Sequence, residues 1–108
     1  MEKSSLFAIV KAMSQVLPQE ASIAVADKAQ FIYYQPSNVI DLKIKPGDSV
    51  KEGTLTLKAL KSRERISQYV DSKPFSVPYY AMSSPIIEEN ESNNAEVCIT
   101  TVFPPSYS

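Results

Sequence analysis

Two neighbouring arginines in KSRER, one cysteine in EVCITTVF and three acids in EENESNN are the side chains here best suited to chemistry. Guanidinium groups suit bidentate recognition of a carboxylate, so Arg63 and Arg65 are candidate anion contacts; the same residues also serve as exposed charges closing a helix. Glu88, Glu89 and Glu91 offer an acid/base pair on paper, but their polar surroundings read as a solvated hairpin tip. Cys98 is the only cysteine, so no disulfide forms within the chain, and its alternating apolar run marks a buried structural thiol rather than a reactive one. There is no histidine. That removes the usual general base, the Ser/His and Cys/His nucleophile pairs and the common zinc and haem ligand sets. An enzyme is therefore the weakest reading, and neither metal nor cofactor is expected.

The frame that must hold these residues is small. A chain of 108 residues, 44% hydrophobic and 21% charged, fits one domain over 1–108 with a single core. A net charge of −1 gives no basic stripe for nucleic acid. No apolar run reaches the roughly 18 residues of a membrane span, and no charged segment leads into an apolar one as in a signal peptide. Neither membrane nor nucleic acid is expected as a partner, and the default compartment is the cytoplasm.

Residues 1–18 read as an amphipathic helix, with Leu6, Ile9, Val10, Met13 and Leu17 at helical spacing, Ser4 or Ser5 as N-cap and Pro18 past the end. That stripe can pack on the chain's own sheet or on a second subunit. The sheet core follows over 21–103. Ser22–Ala26 and Gln30–Tyr34 read as two strands joined by a turn at Asp27 and Lys28, and a crossing segment pins itself through Val39, Ile40, Leu42 and Ile44. ERISQYV, SVPYYAMSSPII and AEVCITTVF read as three further strands, and residues 104–108 as a tail. The expected class is α+β: a five-stranded antiparallel sheet with helices on one face.

Both glycines of the chain lie in KIKPGDSVKEGT. Pro46 pre-sets the first central position of a turn and Gly47 supplies the positive φ that a type II turn needs at the second. Gly53 precedes Thr54, an N-cap for the short helix of LTLKALKSRER.

In order and spacing these pieces are moderately specific. Asp27 near a strand end, Tyr33, Tyr34 and Pro36, the Pro46-Gly47-Asp48 turn, Gly53 with Thr54, Arg63 or Arg65 after the helix, then Pro78, Tyr79, Ala81, Pro85 and Ile86 form one series. From about Ala21 to Asn90 this series resembles the PAS-like cytosolic sensor domain at the N-terminus of some soluble methyl-accepting chemotaxis proteins. ENESNN stands where such domains carry a glycine-containing turn, and EVCITTVF lacks their late glycines. The resemblance implies a signal-input module that binds a small molecule or acts through dimerisation, with a signalling protein as partner. It also implies a helical signalling segment after the domain, leaving a standalone module and a piece of a longer receptor both open.

A sensor of this kind needs a cavity between sheet and crossing segment. The available lining residues are Tyr33, Tyr34, Phe75, Tyr79, Tyr80 and Met82, with Arg63 and Arg65 for an anionic group; core packing is the plain alternative for the aromatics. Adjacent strand residues point to opposite faces, so only one tyrosine of each pair can face inward. Leu6, Ile9, Val10, Met13 and Leu17 are the expected contact of a homodimer. The other reading is a ligand-free interaction adaptor of the same fold with a filled interior.

Overall fold

A computed structural model of the chain describes residues 3–18, 20–38, 40–70, 79–86 and 97–104. Helix α1 covers Lys3–Val16, strand β1 Ser22–Ala26, β2 Phe31–Gln35, helix α2 Leu55–Ser62, β3 Ile66–Val70, β4 Tyr79–Ile86 and β5 Val97–Phe103. The strands form one antiparallel sheet in the order β2-β1-β5-β4-β3. The class is α+β, as the pattern of elements predicts. Phe75, Pro78, Val39, the EENESNN segment and residues 105–108 of the expected tail lie outside the described residues.

β1 and β5 sit at the centre of the sheet, and their burial differs in a telling way. β5 alternates, with Cys98, Thr100 and Val102 buried and Val97, Ile99, Thr101 and Phe103 only partly so. All five residues of β1 are buried. A strand covered on both faces needs apolar or small residues at every position, and SIAVA provides them.

The two covers lie on opposite faces, which corrects the expectation of helices on one face. On one side Leu6 and Val10 of α1 pack on Ile23 and Val25, with Phe7, Leu17, Ile32, Tyr33, Val97 and Ile99 around them. On the other side Ala59 and Leu60 of α2 pack on Cys98, and Leu57 packs with Ala26 and Val50. Strand alternation explains this, because Ile99 and Cys98 are adjacent in β5 and must face apart. α1 also begins earlier than its serines suggest: Ser4 and Ser5 lie inside the helix rather than capping it. The predicted end holds, since Leu17 N–H still donates to Met13 O at 3.1 Å and Pro18 follows without helical structure.

The two glycines serve two turns. Asp48 N–H donates to Lys45 O at 2.9 Å across Pro46-Gly47, with Gly47 at φ +100°, as a type II turn requires. Thr54 N–H closes a second turn on Lys51 O at 3.4 Å with Gly53 at φ +83°. A Cβ at either glycine would meet nothing within 4 Å, so backbone conformation and not crowding requires glycine. Thr54 then caps α2, its hydroxyl accepting from Leu57 N–H at 3.3 Å.

A groove between the sheet and the crossing segment

Among the described residues, the sheet face beyond the N-terminal end of α2 is covered by the crossing segment. There a half-open groove of about 790 Å³ remains. Its apolar wall comes from Ala24 and Phe31 of the first hairpin, Leu42 and Ile44 of the crossing segment, and Tyr79, Ala81 and Val102 of the sheet. Polar groups enter from Ser22, Thr56, Gln68 and Thr100, and at the mouth from Lys43, Lys51 and Asp48. A cavity of several hundred Å³ with an apolar wall and a few convergent polar groups has the make-up of a small-molecule site.

Two hydroxyls of the groove wall, Thr56 and Thr100, join a third, Ser83, buried behind them. Thr56 Oγ1 lies 2.7 Å from Thr100 Oγ1, which lies 2.6 Å from Ser83 Oγ, and all three residues are buried. Each hydroxyl has one proton to donate, so the two internal bonds use two of the three protons. Cys98 neighbours this row on the same face of β5. Burial pushes its thiol up from the usual value, against the lowering effect of hydrogen bonds with Thr100 and Ser83.

One side chain, Tyr34, ties the crossing segment down at two points beside the backbone bonds and apolar contacts that also hold it. Tyr34 Oη accepts from Leu42 N–H at 2.7 Å and donates to Asp41 Oδ1 at 2.9 Å. Burial first, then the neighbouring Asp41, pushes the phenol up to about 12, although the Leu42 N–H bond works the other way. Asp41 in turn is lowered, first by the Lys43 backbone N–H and then by the Tyr34 hydroxyl. Beside it Lys43 adopts a left-handed backbone, φ +58°, which costs a non-glycine residue about 1 kcal/mol.

The structure separates the expected site residues. Tyr79 lines the groove, and burial raises its phenol above the usual value. Tyr34 pins the groove's cover. Tyr33 and Tyr80 face the opposite side: Tyr33 stacks on Phe7 of α1 at 5.6 Å, and Tyr80 lies 5.0 Å from Tyr69 and 6.0 Å from Phe103 between ring centroids. Met82 shares that opposite face, where Arg65 Nη2 approaches its sulfur at 2.8 Å. Arg63 closes α2, outside the groove, and Phe75 lies outside the described residues. Of the helix stripe, Leu6 and Val10 are buried on the chain's own sheet and Leu17 packs beside them, whereas Ile9 and Met13 are 49% and 38% exposed. Thr56, Thr100, Ser22 and Gln68 line the groove and carry no site expectation from the sequence. The period-2 pattern of VCITTVF carries a signal for Thr100, since it sets that hydroxyl on the face of Cys98 and Val102.

The described residues contain no group of three or more His, Cys, Asp or Glu side chains able to hold a metal ion. Among them no helix is long and apolar enough to cross a membrane.

Fold and groove together define an α+β domain with a ligand-sized recess on one sheet face. No family model matches the chain. It is similar to a protein of Bacillus subtilis (strain 168) named "Putative sensory transducer protein YfmS", with 23% identity over 78 residues. That stretch is 72% of this chain and 27% of the relative's length. The likeness supports a general sensor-type signalling role.

Proposed function

We propose that the chain is a PAS-like signal-input domain of a cytoplasmic, chemotaxis-type signalling system, and that the groove holds its small-molecule ligand. The groove carries this reading. An adaptor of the same fold would be expected to fill its interior, whereas about 790 Å³ stands open here against an apolar wall. The strand order, the covering segment and the likeness to a sensory transducer support the same assignment. In this reading Tyr79, Ala81 and Val102 provide the apolar contact, Thr56 and Thr100 satisfy a hydrogen-bonding group, and Tyr34 keeps the crossing segment in place. A homodimer formed through the exposed Ile9 and Met13 of α1, and a downstream signalling protein, complete the proposal.

A thermal-shift screen of small organic molecules tests the groove. Compounds that raise the melting midpoint of the wild type should fail on Ala81→Phe, which fills the recess while keeping strand propensity. If the library yields no such compound, or if Ala81→Phe responds as the wild type does, the groove is not the input site.

A further inference from the structure

The groove keeps its charges apart from its buried wall. Ser22, Ala24, Thr56, Ala81, Thr100 and Val102 are buried lining residues, and none of them is ionisable. Tyr79, buried beside them, holds its proton at neutral pH. Among the described residues the charged part of the lining is Lys43, Asp48 and Lys51, and all three are exposed. Two of these are already engaged. Lys43 Nζ lies 3.6 Å from Asp41 Oδ2, and Asp48 Oδ2 accepts from Lys45 N–H at 2.9 Å. Charges of both signs standing in water at the mouth are screened and give little to an ion held against the sheet.

The buried wall offers hydroxyls instead. Thr56 Oγ1 and Thr100 Oγ1 lie 2.7 Å apart, and a hydroxyl both gives and takes hydrogen bonds. Such a pair meets an amide, a carbonyl or another hydroxyl. It supplies no counter-charge to a carboxylate or an ammonium, and an ion that leaves water without one is strongly penalised.

We propose that the groove selects an uncharged ligand. Its apolar body lies against Ala24, Ala81 and Val102, and one amide, carbonyl or hydroxyl group bonds at the Thr56–Thr100 pair. This rests on the reading of the groove as the input site and narrows that reading to a chemical class. Amides, ketones and alcohols fall inside the class. Free carboxylates, amines and zwitterionic amino acids fall outside it.

Two sets of near-isosteric probes test the class by carbon-13 methyl NMR on the whole chain at neutral pH. One set is benzamide, benzoate and benzamidine, and the other is pentanamide, pentanoate and pentylamine. At least one amide should shift the Ala24 and Ala81 methyls saturably, and its charged counterparts should bind at least about ten-fold more weakly. Thr56→Val/Thr100→Val keeps both shapes and removes both hydroxyls, so it should weaken that amide by about three- to ten-fold. A charged probe that binds as tightly as its amide overturns the proposal and leaves the groove standing as a site. Two amides that both leave the methyls unshifted overturn it as well, and the Ala81→Phe screen then decides the groove separately. An amide held equally well by the folded double variant also overturns it; should that variant not fold, the charge series on the wild type still decides.

Discussion

Removing the Tyr34 hydroxyl should loosen the cover of the groove by an amount that can be worked out from its two bonds. In Tyr34→Phe the Leu42 N–H, partly buried, loses its acceptor, which costs about 1–2 kcal/mol. Asp41 loses a donor at an exposed position, where water replaces it. The cost is therefore about 1–2 kcal/mol, or on the order of 4–8 °C in melting midpoint for a domain of this size. The sign with pH follows from the raised phenol. The folded chain holds the proton up to about 12 and the unfolded chain only to about 10, so this stabilisation is complete below pH 10 and is lost as pH rises towards 12. Two pKa units correspond to about 2.7 kcal/mol, which partial solvent exposure reduces to about 1 kcal/mol. Urea unfolding of wild type and Tyr34→Phe at pH 8 and pH 11 measures both effects. A difference below about 0.5 kcal/mol at pH 8, or one that widens rather than narrows at pH 11, would refute the idea that this phenol holds the crossing segment.

Three further outcomes are expected. Gly47→Val should lower stability by about 2 kcal/mol through strain at positive φ, measured by thermal melts; an unchanged midpoint would contradict the type II turn. Cys98, fully buried and with its thiol raised by burial, should react with a thiol reagent far more slowly in native buffer than in denaturant, and equal rates would remove it from the core. Charged replacements at both Ile9 and Met13 should give a folded monomer, whereas Val10→Lys should unfold the chain, because Val10 is fully buried against the sheet. Sedimentation with circular dichroism separates these, and a wild type that stays monomeric at high concentration would defeat the dimer.

The elements were legible because their periodicities are distinct. VCITTVF alternates, the first segment repeats at helical spacing, and proline, glycine and threonine mark the turns and the cap of α2. The placement of α1 and α2 on opposite faces was harder to read, yet the run SIAVA carries the clue: a strand with no polar face asks for two covers. The division of the tyrosine pairs followed from strand geometry, but which partner faced the groove depended on register and on a bulge between Val25 and Ala26. The groove's hydroxyl floor was hidden for another reason. Thr56 and Thr100 are 44 positions apart, and only tertiary packing brings α2 over β5.

Phe31 spends both backbone groups on the crossing segment, its N–H donating to Asp48 O and its carbonyl accepting from Gly47 N–H, each at 2.8 Å. β2 is an edge strand, and its outer rim would otherwise be open to pairing with another molecule. The turn that needs Gly47 is therefore also a guard against intermolecular strand addition. A chain that loses this turn exposes a growing edge before it loses its core, so turbidity should rise at temperatures where the helical signal is still intact.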